Sequence, residues 1–274
     1  MIRAITCDLD GTLLDHEARI RPKSAQALVE LSRQGVMVIL ASGRSWRTVL
    51  RIQRALGLVG PIITHNGAYG YDSAQQREWY RHGVPASRAR QFVSWADEVQ
   101  VMVRCYLGAH QPVVYNRFDL AHQLCWMRPE DRLIPNLADS LSTDPLEIFL
   151  SGLDAVDQFI ARFGMRGDDY ELTVFPHVGY REVNICAPRV DKVEALEELC
   201  RLWDINPRDV LALGDGANDV RMLAWAGRAV AIGDGNPLAQ AEADFVTSRG
   251  NPEPVLEGLL WALPRYLSLP LSSA

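Results

Sequence analysis

Apolar residues in this chain fall into short runs that alternate with stretches of helical periodicity. Residues 2–7, IRAITC, predict a buried strand, and residues 24–34, SAQALVELSRQ, place Ala27, Leu28 and Leu31 on one face of a helix that Gly35 ends. VMVILA (36–41) predicts a second strand, residues 45–56 a second helix and PIIT (61–64) a third strand. Strand and helix in alternation imply an α/β fold, a Rossmann-like doubly wound parallel sheet covered on both faces. The alternation resumes after residue 190. There DKVEALEELCRLW spaces Val193, Leu196, Leu199, Cys200 and Trp203 helically, with Glu194, Glu197, Glu198 and Arg201 away from them. DVLALGDG then predicts a strand and turn, NDVRMLAWAG a short helix and AVAIG another strand. Leu256, Leu259, Leu260 and Leu263 predict a last helix packed on the core, with a dimer contact left open.

Between about residues 83 and 182 the pattern changes. A helix near 86–99 leads into extended segments in QVMVRCYLGAHQPVVYN and a loop-rich stretch holding Pro129, Pro135 and Pro145. A strand (LEIFLS), a helix (DAVDQFIARF) and two extended runs, YELTVFP and YREVNICA, follow. Successive strands joined by short turns predict an antiparallel sheet with helices, an α+β unit inserted into the core. The expected organisation is a core of residues 1–82 and 183–274 with an inserted domain of 83–182, and 274 residues suffice for both.

Composition removes several functions. A net charge of −6 lacks the basic footprint of a nucleic-acid binder, and 48% hydrophobic with 23% charged residues is ordinary for a globular protein. The first apolar run is interrupted by Arg3, Asp8 and Asp10, and the late LLWALPRYLSLPL by Pro264, Arg265 and Pro270. Neither a signal segment nor a membrane span is expected, which implies a cytoplasmic protein, monomeric or homodimeric. The five cysteines, Cys7, Cys105, Cys125, Cys186 and Cys200, show no CxxC spacing and predict buried thiols rather than disulfides or zinc ligands. The chain holds 26 arginines but only two lysines, Lys23 and Lys192, so each lysine is conspicuous.

Ligands of open α/β sheets bind beyond the carboxyl ends of the strands. Polar clusters follow four apolar runs directly: Asp8 after IRAITC, Ser42 after VMVILA, His65 and Asn66 after PIIT, and Asp215 after VLALG. Asp8 and Asp10 would point the same way in extended chain, and neighbouring carboxylates resist ionising together, a pair able to divide nucleophilic from acid/base work. Gly11 permits a tight bend, and Thr12 can bond a carboxylate or phosphate oxygen. ASGRS (41–45) reads as an anion site at a helix start or as a plain helix cap. In GDGAND (214–219), Asp215 and Asp219 supply the oxygen ligands that Mg²⁺ prefers, a structural turn being the alternative. Lys192 stands near a helix start, where the dipole disfavours a cation. It is either a solvated residue or the partner of an anion.

DLDGTLL, SGR, Lys192 and GDGANDVRML, in that order and with a large insertion before the lysine, resemble the haloacid dehalogenase (HAD) superfamily, and most closely its Cof-type phosphatases with a C2B cap. The resemblance spans nearly the whole chain. It implies a phosphoric monoester hydrolase in which Asp8 is the nucleophile, Asp10 the acid and base, and an aspartyl-phosphate the intermediate. It also implies Mg²⁺ held by Asp8, the backbone carbonyl of Asp10 and Asp215, with Asp219 in support. Ser42 and Lys192 would bind the transferring phosphoryl group. Thr12, Gly43, Arg44, Asn66, Gly67 and Asn218 would complete the phosphate and substrate contacts. The implied substrate is a small phosphorylated metabolite, a sugar phosphate or a cofactor or nucleotide phosphate. The chain departs from the Cof pattern at Asp191 and Val193, where Ser and Gly commonly flank the lysine, and at Asp234-Gly235-Asn236-Pro237, where Asn-Ala is usual. Asp191 can cap its helix, and Asp234 brings an extra acid toward the metal or substrate.

A phosphosugar mutase would use the same residues. A phospho-aspartate receiver is a single small domain, at odds with the insertion, and a binding protein without catalysis is at odds with the presence of both Asp8 and Asp10. Arg117, His122, His177, Tyr180 and Arg181 are candidates to line a crevice or are surface and packing residues. Trp79, Trp95, Trp126 and Trp203 are expected to pack.

Overall fold

The computed structural model describes residues 1–109, 111–117, 128–177 and 180–266. Five strands and two helices come first: β1 (Ala4–Cys7), α1 (Pro22–Arg33), β2 (Met37–Ala41), α2 (Trp46–Ala55), β3 (Pro61–Thr64), β4 (Tyr69–Asp72) and β5 (Arg77–Arg81). The middle of the chain holds α3 (Ala86–Glu98), β6 (Val103–Tyr106), β7 (Val114–Tyr115), β8 (Arg132–Leu133), α4 (Leu137–Ser140), β9 (Glu147–Ser151), α5 (Leu153–Phe163), β10 (Glu171–His177) and β11 (Tyr180–Cys186). Last come α6 (Lys192–Leu202), β12 (Val210–Gly214), α7 (Val220–Trp225), β13 (Arg228–Ala231), α8 (Pro237–Ala241), β14 (Phe245–Val246) and α9 (Pro254–Ala262).

The chain divides into two units, Met1–Tyr80 with Asp191–Ala274, and Arg81–Val190. Unit 1 is built on an eight-stranded sheet in the order β14-β13-β12-β1-β2-β3-β4-β5. From β14 to β3 neighbouring strands are parallel, and β1, with β12 and β2 on its two sides, is buried at every residue. A strand buried on both faces must be apolar throughout, which is why AITC and VLALG read as unbroken runs. The β4–β5 extension departs from the sequence expectation of a purely parallel sheet: β4 runs antiparallel to β3. Its sequence, YGYD, carries glycine and a carboxylate and so shows no apolar run. It is nevertheless fully buried, because Trp79 packs against Gly70 and crosses Trp203 edge to face at 5.6 Å. Leu256 and Leu259 of α9, and Leu263 just past its end, are buried as their spacing predicts, whereas Leu260 is 44% exposed.

Unit 2 contains a six-stranded sheet in the order β10-β11-β9-β6-β7-β8. Its strands are antiparallel except for β7 with β8, a parallel pair in which β7 falls in an expected extended segment and β8 in the stretch that reads as loop. The chain leaves this unit only at Val190, because β11 pairs with both β9 and β10. Alternate residues Val103, Cys105, Ile148, Leu150, Val183 and Ile185 join Phe92, Val93 and Phe159 from α3 and α5 in its core. Phe92 meets Phe159, Phe163 and Tyr170 edge to face, at centroid distances of 5.0, 4.9 and 5.0 Å. Trp79, Trp95 and Trp203 all pack against cores, as expected, while Trp126 lies outside the described residues. Cys7, Cys105 and Cys200 are buried free thiols, Cys186 is half-buried, and Cys125 lies outside the described residues. Among the described residues no helix is long and apolar enough to cross a membrane.

Truncating the ring at the centre of the unit 2 core removes its transfer energy and leaves a cavity. Phe92→Ala is expected to destabilise residues 81–190 by about 3–5 kcal/mol. Denaturant unfolding followed by amide exchange reads this directly. A loss below about 1 kcal/mol would contradict the central packing role assigned to Phe92.

Candidate active site

Four adjacent parallel strands, in the order β12, β1, β2, β3, end in polar residues at one edge of the unit 1 sheet. From β12 comes Asp215, from β1 Asp8, from β2 Ser42, and from β3 His65 and Asn66. Asp8 is 4% exposed, and its N–H donates to the Leu213 carbonyl at 2.9 Å, the last rung toward β12. The strand stops at Cys7, and a turn follows in which the Thr12 and Leu14 N–H groups donate to the Leu9 carbonyl at 3.3 and 2.7 Å. The two-residue alternation is a property of extended chain, and Asp10 lies in the turn beyond it. Leu9 is fully buried, Asp8 is buried and the Asp10 side chain is 55% exposed.

Each carboxylate has its own cation. Lys192 Nζ, with no exposure, donates to Asp8 Oδ1 and Asp219 Oδ1 at 2.6 Å each. The anion expected near this helix start is therefore a pair of carboxylates. Asp191 caps α6 as its position predicts, its Oδ1 accepting from Val193 N–H at 2.8 Å, and its other oxygen lies 3.2 Å from Arg221. Asp10 instead receives the fork of Arg44: Nε lies 2.8 and 3.1 Å from its two oxygens and Nη2 2.5 Å from Oδ1.

Asp219 closes the turn after β12, its Oδ2 accepting from the N–H groups of Asp215 at 3.0 Å and Gly216 at 2.8 Å. Asp215 Oδ1 accepts the Thr12 hydroxyl at 2.7 Å, so Thr12 serves a carboxylate in this structure. Gly11, at φ +78°, passes so close to Asp215 that a Cβ there would fall 2.3 Å from its Oδ2. No other residue fits without displacing that carboxylate. The Asn236 N–H donates to the Asp215 carbonyl at 2.7 Å, so the loop after β13 supports the backbone of this acid. The extra acid Asp234 is spent on the Gly250 N–H, at 2.8 Å.

At the β2 and β3 ends, Ser42 Oγ accepts from the Arg44 N–H at 3.1 Å, and the Ser42 carbonyl accepts from Asn66 N–H at 3.2 Å. Asn66 Oδ1 lies against Gly43 and accepts from Asn218 Nδ2 at 3.0 Å, joining residues far apart in sequence on the exposed rim. Gly67, at φ +108°, packs on the Asp191 carbonyl, where a Cβ would approach to 2.2 Å, so the 65–67 turn touches the start of α6. His65 follows a buried strand and is itself 1% exposed. Its Nε2 accepts the Trp46 N–H at 3.3 Å and so caps the start of α2, a role its strand-end position alone does not indicate. Of the unit 2 candidates, Arg181 pairs with Asp157 at 2.7 Å and Arg117 is half-buried. His122 and the side chains of His177 and Tyr180 lie outside the described residues.

A family model described as haloacid dehalogenase-like hydrolase matches residues 5–259. The chain belongs to that family. It is a Cof-type HAD hydrolase, and several of its relatives are named phosphatases. YkrA of Bacillus subtilis, assigned only provisionally as a phosphatase, is 29% identical over 89% of this chain and 91% of its own. YbhA of Escherichia coli, a pyridoxal phosphate phosphatase, is 24% identical over 89% of this chain and 92% of its own. A solved structure from Thermotoga maritima superposes with a TM-score of 0.79 at 24% identity, covering 94% of this chain and 97% of that one, and shares the fold.

In this hydrolase the ligand atoms of Asp8, Asp215 and Asp219 lie within 4.8 Å of one another. Three carboxylates face one ammonium, and their donors are all oxygen. Such a set, with negative charge in excess and mostly buried, fits a hard divalent cation. Burial raises the Asp8 carboxyl to about 7, although Lys192 pulls it down. Burial also raises Asp215, against the Thr12 hydrogen bond. Burial works against the Lys192 ammonium, but Asp8 and Asp219 outweigh it and raise the group.

The sign of the resulting pH dependence follows. An acid whose folded value, about 7, lies above its unfolded value of 3.8 binds more protons when folded, so its contribution to stability is present at low pH and is lost as pH rises through that window. Without divalent cation, Asp8→Asn is expected to gain stability relative to wild type as pH rises from 4 to 7, and added Mg²⁺ to stabilise wild type more than the variant. Thermal unfolding at several pH values tests this, and a difference independent of pH would contradict it.

Proposed function

We propose that this hydrolase is a Mg²⁺-dependent phosphatase of small phosphorylated metabolites working through an aspartyl-phosphate on Asp8. The observation that carries the proposal is the Lys192 ammonium bound to Asp8 and Asp219 at 2.6 Å, with Asp215 completing a compact acidic cluster. A carboxylate so placed has one oxygen held by the ammonium, leaving the other to attack.

The steps assigned to the chain's own residues balance as follows. An Asp8 oxygen attacks phosphorus, the bond from phosphorus to the ester oxygen breaks, and Asp10 gives its proton to the departing alkoxide. Water then attacks the aspartyl-phosphate while Asp10 takes a proton from it, and the bond to Asp8 breaks to return a carboxylate and inorganic phosphate. Ser42, Gly43, Asn66, Gly67, Asn218 and Thr12 are assigned to the rim and floor that receive the phosphoryl group and substrate edge. Lys192 neutralises charge on the phosphoryl oxygens as well as on Asp8. When bound by Asp8, the Asp10 carbonyl and Asp215, with Asp219 in support, Mg²⁺ supplies charge neutralisation of the phosphoryl oxygens.

The named substrate of YbhA, a phosphorylated cofactor, supports a small-metabolite substrate here. Choice among such metabolites is assigned to the inserted unit, residues 81–190.

Phosphate release from a panel of sugar, nucleotide and cofactor phosphates is expected to require Mg²⁺, to cease with chelator and to fall at least about 10³-fold in Asp8→Asn. No release by folded, metal-loaded protein across the panel would overturn the proposal. Isomerisation of a phosphosugar dependent on added bisphosphate would identify a mutase instead.

A further inference from the structure

Arg44 belongs to the SGR segment, where its guanidinium would be expected to receive phosphate. The structure engages it with Asp10 instead, through Nε at 2.8 and 3.1 Å and Nη2 at 2.5 Å. This is the two-pronged geometry that fixes a carboxylate in orientation as well as in place. Asp10 needs such a partner. It stands on a turn, beyond the end of β1, with its side chain 55% exposed, and a carboxylate there is otherwise free to sample rotamers.

Arg44 is built as a fixed point. Its N–H donates to Ser42 Oγ at 3.1 Å and its carbonyl accepts from His65 N–H at 3.1 Å, so its backbone is held on both sides. Ser42 is in turn held by Ile63 and Asn66, through hydrogen bonds of 3.0 and 3.2 Å. The clamp on Asp10 is thus anchored to the ends of two central strands, and its side chain is 31% exposed, less than the acid it holds.

We propose that Arg44 is the positioning residue for Asp10, orienting the carboxylate that transfers protons, and that it contributes little to binding of the phosphoryl group. The proposal rests on the phosphatase reading above. Its consequence depends on the leaving group. A proton from Asp10 matters when a strongly basic alkoxide departs and hardly at all for p-nitrophenolate, which leaves unprotonated. Because kcat/KM reports only the steps through departure of the leaving group, the later use of Asp10 on water does not enter that comparison.

The experiment compares kcat/KM for the best alkyl phosphate of the panel and for p-nitrophenyl phosphate in wild type, Arg44→Gln, Arg44→Lys, Asp10→Asn and the double variant Arg44→Gln/Asp10→Asn. Inhibition by inorganic phosphate is measured for each. Arg44→Gln is expected to lower the alkyl value about 10²-fold and the aryl value less than about threefold, with phosphate inhibition unchanged. Arg44→Lys, a point charge that cannot fork, is expected to recover only part of the alkyl loss. Adding Arg44→Gln to Asp10→Asn should cost nothing further, since the group being positioned is gone. Retained aryl activity also shows that the variant is folded; should Arg44→Gln not fold, Arg44→Lys carries the same comparison. Equal losses on both esters, weakened phosphate inhibition, or a further loss on the Asp10→Asn background would overturn the assignment. No turnover of either ester by wild type would overturn the phosphatase reading, and this assignment with it.

Discussion

The Lys192 ammonium, held between Asp8 and Asp219 with no access to solvent, is the interaction on which the rest of the site depends. Two carboxylates this deeply buried carry a desolvation penalty of several kcal/mol each, and leaving them without a counter-charge would be strongly destabilising. Bringing one cation to both imposes constraints elsewhere. The first residue of α6 must reach the ends of β1 and β12, so the 65–67 turn must make room with a glycine against the Asp191 carbonyl. A cation at a helix start opposes the helix dipole. Asp191 at the N-cap adds a compensating negative charge in the same turn and satisfies the Val193 N–H.

One ammonium does not balance the cluster. Asp215, drawn into the site by Thr12 and close enough to Gly11 to exclude any side chain there, adds a third carboxylate. The excess negative charge opposes an incoming phosphate dianion unless a divalent cation joins the cluster, so the same geometry that pre-places the ligands also makes anion binding conditional on metal. The glycines of the turns serve this arrangement directly: backbone approaches the carboxylates where side chains would push them apart.

Much of this was legible in the chain because it depends on local pattern. The strands β1, β2, β3 and β12 lie wholly or largely buried in a parallel sheet, so their sequences are unbroken apolar runs, and the polar residue after each run marks the ligand edge. The resemblance to HAD proteins then attached roles to Asp8, Lys192 and Asp215. Features set by tertiary contact were not legible. β4, with Gly70 and Asp72, shows no apolar run and becomes a strand because β3 pairs with it and Trp79 packs on Gly70. His65 stands at a strand end on the ligand edge, and its imidazole proves to be a buried helix cap. The exposure of Asp10 depends on where β1 stops, a boundary that pattern alone does not fix.

That last point changes the account of how two acids two residues apart come to differ. Here Asp8 is buried and Asp10 half-exposed, and each meets a different cation: Asp8 a buried ammonium, Asp10 a guanidinium held on the neighbouring strand end. Environment therefore divides the pair before any substrate arrives. The buried member is fixed and partly neutralised, as an attacking group in line with phosphorus must be. The exposed member is oriented but reachable from solvent, as a group that exchanges protons with a leaving group and then with water must be.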